Sequence, residues 1–281
     1  MKNRSVFGYY DSKGWEKVDG RYVDTEVNEN LEPAAEHYNS ITRNRILAEL
    51  SELPEGNRNR LLDCASGAVQ YPEYIEYSRT FGQRYCVDFS AQALSEAREN
   101  LTNAGQSNCV FLCEDLLRVD FEEGYFDAAI SLHTLYHVHV TEQEEFVERL
   151  IKSVREGGKI ILVYSNPLSL RACLAFPMYL WHSFKQLAKW LLARLSLYGD
   201  TKETLYFRRK NVWWWRRFQR FGDVNIRAYR FLTPSTERRI IPDNSLGRRI
   251  YSWLYSLESA TLAAYFSDYY MVVIKKTKRA W

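Results

Sequence analysis

Acidic and very small residues mark the ends of two predicted strands. The first strand runs from Asn59 to Asp63 and is followed by Cys64 and the small residues 65–68. The second begins about twenty residues later and ends at Asp88. Small residues let backbone N–H groups approach a ligand closely, and an acid at the tip of the second strand suits the hydroxyls of a ribose. The spacing predicts nucleotide chemistry, with these candidate cofactor-binding residues: Asp63, Ala65, Ser66, Gly67, Asp88 and Phe89.

Simpler structural roles exist for both acids. Asp63 could cap its own turn, and Asp88 together with Ser90 could begin a helix. Serine is a strong helix N-cap, so we expect Ser90 to be the cap, which leaves Asp88 for the ribose.

The type of nucleotide is limited by which residues are missing from the first turn. A dinucleotide site needs G-x-G-x-x-G, but Gly67 is the only glycine between residues 60 and 80. No Gly-Lys-Ser/Thr sequence is present for a phosphate-binding loop. Asp63 would repel a pyrophosphate and would suit a cationic ligand. These features point to S-adenosylmethionine, which carries an ammonium, a sulfonium and a ribose but no phosphate.

Histidines follow the fourth predicted strand, where the methyl group of such a cofactor should lie. Methyl transfer from a sulfonium is an in-line displacement that needs donor and acceptor aligned at about 3 Å, with water excluded. A hydroxyl acceptor also benefits from a base. His133 and His137 are the candidate catalytic residues, and His139 lies close by in the sequence. Alternatively, these histidines cap the strand–helix turn or bond to the backbone.

Further elements complete a doubly wound α/β pattern. Strands are predicted at 109–113, 124–132, 160–164, 224–231 and 269–275, and helices at 33–52, 142–154 and 247–258. The pattern predicts a Rossmann-like, seven-stranded, mostly parallel sheet.

With these motifs in place, residues 59–165 resemble the class I S-adenosylmethionine-dependent methyltransferases, with a weaker echo at 212–276. The family has an acid followed by Gly-x-Gly-x-Gly, whereas this chain has Ala65 where glycine is usual, and a left-handed conformation would strain an alanine. The resemblance implies that Asp63 and residues 65–68 hold the methionine part and that Asp88 holds the ribose. It also implies that Asp115 and Leu116 contact the adenine, and that the last strand is antiparallel.

The extra length of the chain is expected to cover the carboxyl edge of the sheet, where substrate choice would be made. We predict an N-terminal arm and helix (1–58) that acts as a lid, and a core domain (59–281) with helical insertions at 166–211 and 233–266. Tyr9, Tyr10 and Trp15 are candidate substrate-binding residues, with packing of the arm as the alternative. Residues 184–195 are amphipathic and suit a lid helix or a weak membrane-surface contact.

Composition excludes several classes of protein. A net charge of +3 over 281 residues is too small to indicate a nucleic-acid protein. The residues around Trp213–Trp215 have helical spacing and are expected to pack on the sheet rather than stack on bases. The five cysteines form no metal-binding pattern and are predicted to be free thiols, and no signal peptide is visible, so we expect a cytoplasmic protein without a metal.

The sequence therefore predicts a methyltransferase that uses S-adenosylmethionine and acts on a small molecule or saccharide, at a hydroxyl oxygen. The alternatives are an RNA or protein methyltransferase, and a non-catalytic cofactor-binding or scaffold protein with a degenerate first motif.

Overall fold

The computed structural model describes residues 15–18, 20–173 and 206–277. Most of the predicted insertion at 166–211 lies outside these ranges, as do the amphipathic stretch 184–195, Tyr9 and Tyr10. None of the helices in the described ranges is long and apolar enough to cross a bilayer.

A seven-stranded sheet forms the centre of the molecule, in the order β5-β4-β3-β6-β7-β9-β8. Only β9 runs antiparallel, and it pairs with both β7 and β8. The prediction of a mostly parallel sheet with an antiparallel last strand is therefore confirmed. The strands of the sheet are β3 (Arg60–Cys64), β4 (Gln83–Asp88), β5 (Cys109–Cys113), β6 (Phe126–Leu132), β7 (Val154–Ser165), β8 (Gly222–Arg230) and β9 (Tyr269–Lys276).

Helices cover the sheet, and a two-stranded ribbon precedes it. The ribbon consists of β1 (Lys17–Val18) and β2 (Arg21–Tyr22). Residues 55–57, 135–137 and 212–220 are 3-10 helices. The α-helices are α1 (Val23–Asn28), α2 (Glu36–Ser51), α3 (Pro72–Thr80), α4 (Ala91–Asn103), α5 (Gln143–Ser153), α6 (Pro234–Ile240), α7 (Ser245–Glu258) and α8 (Ala263–Phe266).

Both faces of the sheet are buried, which explains the continuous apolar run in β7. Ile161 and Val163 pack on the face that carries α2 and α3, while Ile160 and Leu162 pack on the face that carries α5 and the helix 212–220. Alternate side chains of a strand point to opposite faces, so a strand between two helical layers is apolar at every position.

The position of the site follows from the strand order. β3 lies between β4 and β6, so the chain leaves β3 toward one side of the sheet and later returns to the other side. Ligands of open α/β sheets bind at the carboxyl ends of the strands beside such a switch point. The turns after β3, β4 and β6 meet there.

Candidate functional site

A cavity of about 400 Å³ opens at the carboxyl ends of β3, β4 and β6. Its wall includes the turn at 65–67, Asp88 and Phe89 after β4, and His133 and His137 after β6. Residues from the N-terminal region, α2 and β8 close the opposite side. The structure thus brings together most of the residues that the sequence singled out.

The turn after β3 contains three residues in the left-handed region. Ala65, Gly67 and Val69 have φ angles of 55°, 57° and 50°. A left-handed conformation costs an L-residue about 1–2 kcal/mol, so Ala65 and Val69 are held in place by their surroundings. The Ala65 N–H donates to the Val87 carbonyl at 2.7 Å, which ties the turn to β4. The strain anticipated for Ala65 is therefore present.

Gly67 is required for a second reason. A Cβ atom at this position would lie 2.6 Å from Cη2 of Trp15, which is closer than real side chains approach. Trp15 is buried, lines the cavity and packs edge-on against Tyr22 at a ring-centroid distance of 6.2 Å. The predicted N-terminal arm thus covers the turn directly at Trp15.

Asp88 joins the two turns at the cavity. One carboxylate oxygen accepts from the Gly67 N–H at 3.0 Å, and the other accepts from the Ser90 N–H at 2.9 Å. Burial raises the pKa of Asp88 to about 6, although these backbone hydrogen bonds oppose the rise. Ser90 caps α4 by accepting from the Ala93 N–H at 3.2 Å, so the predicted cap is confirmed and the Asp88 carboxylate faces the cavity.

Asp63 has a partner that the sequence interpretation missed. One of its oxygens accepts from Nε of Arg84 at 3.1 Å and from Nη2 of the same guanidinium. Arg84 also donates to the Ser78 hydroxyl at 2.9 Å. Both charged side chains are buried and line the cavity, so a ligand meets an ion pair here rather than a lone carboxylate. Burial raises the pKa of Asp63, although Arg84 opposes the rise.

Asp115 and Leu116 do not line the cavity. Asp115 accepts from the Leu117 N–H at 3.0 Å, and Leu116 is buried in the hydrophobic core. Their predicted contact with an adenine stays a prediction.

Two of the three candidate histidines face the cavity. His133 has a φ of 59° and lies between the rings of Tyr229 and Tyr269, at centroid distances of 5.7 and 5.1 Å. Burial lowers its pKa to about 4. Nδ1 of His137 lies 2.9 Å from the Tyr206 carbonyl, and burial lowers the pKa of this imidazole too.

His139 is placed differently, because it stacks on Tyr206 and its Nδ1 lies 2.8 Å from the Thr141 hydroxyl. It is not part of the cavity wall.

A network of charges closes the far side of the cavity. Glu29 accepts from Arg43 at 3.3 Å and from Arg230 at 3.2 Å. Arg43 also pairs with Glu73 at 2.8 Å, and Arg230 with Glu237 at 2.6 Å. No local sequence motif predicts this network, because Glu29 and Arg230 are 201 positions apart in the chain.

The charged groups of the wall are nearly balanced. Four carboxylates and three guanidiniums of the described residues line the cavity: Asp24, Glu29, Asp63, Asp88, Arg43, Arg84 and Arg230. In the described parts of the chain, no group of three His, Cys, Asp or Glu side chains could hold a metal ion.

Comparison with known proteins identifies the domain. Residues 62–162 match the family model described as "Methyltransferase domain". These residues form a class I methyltransferase domain. The predicted family and fold are confirmed, and S-adenosylmethionine is the methyl donor of this class.

Solved structures with the same fold have low sequence identity to the chain. Phosphoethanolamine N-methyltransferase 1 of Haemonchus contortus, solved with phosphoethanolamine and S-adenosylhomocysteine, has a TM-score of 0.57 and 13% identity over 98% of this chain and 48% of its own. Magnesium protoporphyrin IX methyltransferase of Synechocystis, solved with S-adenosylhomocysteine, has a TM-score of 0.55 and 13% identity over 97% and 99%. The [4+2]-cyclase SpnF has a TM-score of 0.50 and 14% identity over 84% and 81%.

The chain covers about half of the length of the two Haemonchus contortus phosphoethanolamine N-methyltransferases that it matches, at 49% and 48%. These likenesses concern the fold, and the acceptor has to be argued from the cavity itself.

Proposed function

We propose that this chain is an S-adenosylmethionine-dependent methyltransferase that methylates a hydroxyl oxygen of an uncharged small molecule or saccharide. The proposal rests on one observation. The cavity has the hydrogen-bonded residues Gly67 and Asp88 in one part of its wall and aromatic side chains in another part.

The cofactor end of this cavity fits the chemistry of the methyl donor. Asp88 uses each carboxylate oxygen for one backbone hydrogen bond, so lone pairs remain for the two hydroxyls of a ribose. Gly67 lets the backbone approach a ligand without a Cβ atom between them. Carboxylates outnumber guanidiniums in the wall by one, which suits a cofactor that carries a sulfonium and an ammonium against one carboxylate.

The acceptor end favours a neutral molecule. Arg43 and Arg230 are each paired with two carboxylates, so binding an anionic group would require an existing ion pair to break. The groups that remain are neutral. Thr42 lines the cavity, and its hydroxyl is buried without a hydrogen-bond partner among the described residues. Tyr71, Tyr74, Tyr229 and Tyr269 line the same wall.

Rings that pack against C–H faces, together with hydroxyls that exchange hydrogen bonds, are suited to a polyhydroxylated acceptor. A phosphate or carboxylate acceptor is less favoured here, because the Arg230 guanidinium already donates to protein partners.

His133 would receive the acceptor's proton late in the reaction. S-adenosylmethionine supplies a methyl carbon bonded to a sulfonium: the oxygen lone pair forms the new O–C bond, and the S–C electron pair stays on sulfur as a thioether. The proton of the hydroxyl becomes strongly acidic as the bond forms. An imidazole with a pKa of about 4 is neutral at pH 7 and can accept a hydrogen bond from the hydroxyl throughout. His137 is the second candidate for this role.

Two other functions remain as alternatives. An RNA or protein acceptor would need a wall that admits a polymer. A non-methylating protein is the other alternative, and the similarity to a [4+2]-cyclase supports keeping it, because the same fold serves a different reaction in that protein.

Radiolabelled S-adenosylmethionine tests the proposal. We expect label to be transferred to neutral hydroxyl compounds in preference to their phosphorylated counterparts. Total RNA and a mixture of unrelated proteins are offered in parallel, because they test the alternative of a macromolecular acceptor. Transfer only to phosphorylated compounds would contradict the neutral-acceptor argument, and cofactor binding without transfer to any acceptor would favour the non-methylating alternative.

A further inference from the structure

Helix α7 carries a second apolar stripe in addition to the face that it buries. Its buried side consists of Gly247, Tyr251, Leu254 and Glu258. The second stripe follows helical spacing at positions 246, 253 and 257, which are Leu, Trp and Leu, while Ile250 on the same side packs partly against the core. The side chains of Leu246 and Trp253 are 56% and 61% exposed. An amphipathic helix in a globular protein needs only one apolar face, so this stripe calls for a partner outside the described fold.

The charge around the stripe is one-sided. Residues 238–257 contain four arginines and one acid, Asp243. The Asp243 carboxylate accepts from the Ala34 N–H at 2.8 Å and is thus engaged with the protein. Arg239, Arg248 and Arg249 are exposed, and no carboxylate of the described residues lies within salt-bridge distance of them.

We propose that this α7 surface, formed by Leu246, Trp253 and Leu257 with Arg249 beside them, docks on an anionic lipid bilayer. A helix with an apolar stripe, a tryptophan and flanking arginines lies in the plane of a membrane interface, and its cations are attracted to anionic headgroups. Arg249 borders the stripe, because it lies three positions after Leu246 and four before Trp253 on the helix.

A second copy of this chain fits the surface less well. A twofold dimer would place the same patch against itself and bring its arginines together without compensating acids. A bilayer supplies apolar acyl chains for the stripe and anionic headgroups for the arginine side chain.

The surface lies close to the cavity. Pro234, the first residue of α6, lines the cavity, and α6 ends at Ile240, whose side chain is 63% exposed. A seven-residue helix is about 10 Å long, so docking through α7 would hold the cavity near the membrane surface. This inference concerns the partner of a different surface and does not depend on the methyl acceptor.

Vesicle co-sedimentation of the full-length chain tests the proposal. The probes are vesicles of phosphatidylcholine alone, and vesicles of equal parts phosphatidylcholine and phosphatidylglycerol. We expect binding to the anionic vesicles only, and loss of that binding at high salt. One arginine near an anionic surface strengthens binding about fivefold, so Arg249→Gln should weaken it about fivefold, whereas Arg248→Gln, on the other side of the helix, should weaken it less.

The apolar variant and its control complete the design. Leu246→Ser/Trp253→Ser should abolish vesicle binding, whereas Trp213→Ser should retain it, because Trp213 is also half exposed but belongs to the helix on the opposite face of the sheet. Thermal unfolding should show that all variants remain folded. The proposal is overturned if the wild-type chain ignores anionic vesicles, if it binds but Arg249→Gln and Leu246→Ser/Trp253→Ser bind equally well, or if light scattering shows a dimer that Trp253→Ser dissociates.

Discussion

Replacing Gly67 with alanine tests the packing of the N-terminal arm on the cofactor turn. The substitution has two costs in this structure. Gly67 has a φ of 57°, and an L-residue in that conformation loses about 1–2 kcal/mol, partly offset by the smaller entropy of the unfolded alanine chain. The new Cβ would also lie 2.6 Å from the Trp15 ring, and overpacking of this kind costs about 1–3 kcal/mol.

Gly105 provides the matched control. Its φ is 74°, so alanine meets the same conformational cost, but a Cβ atom there has no neighbour within 4 Å. We expect Gly105→Ala to lower the free energy of unfolding by about 1 kcal/mol and Gly67→Ala by about 2–4 kcal/mol. Urea denaturation measures both values, and calorimetry with S-adenosylhomocysteine should show weakened binding for the Gly67 variant alone.

A double-mutant cycle assigns the difference to Trp15. In a Trp15→Ala background the extra cost of Gly67→Ala should vanish, since the ring that it meets is gone. If Gly67→Ala and Gly105→Ala cost the same in the wild-type background, Trp15 does not press on the turn and the account of the lid is refuted.

Three further predictions concern single substitutions of Asp88, His133 and Glu29. Because the pKa of Asp88 is raised to about 6, its carboxylate destabilises the fold as pH rises from about 4 to 6, by roughly 2–3 kcal/mol; Asp88→Asn should remove this slope from the unfolding free energy measured against pH, and an unchanged slope would exclude Asp88 as its source. His133→Asn should lower turnover about 100-fold, and wild-type turnover at saturating cofactor should be flat between pH 7 and 8, since the His133 pKa lies near 4 and the Asp88 pKa near 6; loss of only a few-fold would make this histidine structural. Glu29→Gln leaves the buried Arg230 and the partly buried Arg43 each short of one partner and should cost about 3 kcal/mol in unfolding, whereas exposed Glu26→Gln should cost less than about 1 kcal/mol; equal costs would contradict the importance of the network.

Local patterns predicted the parts of the site that depend on neighbouring residues. Short segments with clear periodicity or capping chemistry contain these parts. They are the strand that ends at Asp88, the small residues 65–68 and the cap at Ser90. The antiparallel direction of the last strand was implied by the resemblance and not by local patterns, because β9 pairs with residues far away in the chain.

The partner of Asp63 left a signal that could have been used. Arg84 lies within an otherwise apolar strand, and a buried arginine must be paired. In the register of β3 and β4, Arg84 pairs with Leu61, which shares a strand face with Asp63. The two side chains are therefore on the same face of adjacent strands.

The network around Glu29 could not be found in this way. Its members come from the segment after α1, from α2, α3, β8 and α6, which meet only when the sheet and its covering helices are assembled. No spacing or motif connects them. The aromatic residues of the cavity wall come together in the same assembly, since Tyr71 and Tyr229 line one cavity although they are far apart in the sequence.

Calorimetric titration with S-adenosylmethionine, S-adenosylhomocysteine and NAD tests whether the cavity is a site for this methyl donor. We expect saturable binding of the first two, and no binding of NAD because the turn has a single glycine and carboxylates at its mouth. Asp88→Asn should weaken binding by about 1.5–3 kcal/mol, the value of a charge-assisted hydrogen bond. Absence of heat with millimolar S-adenosylmethionine, unchanged affinity in the Asp88 variant, or tight binding of NAD in the same cavity would contradict this expectation.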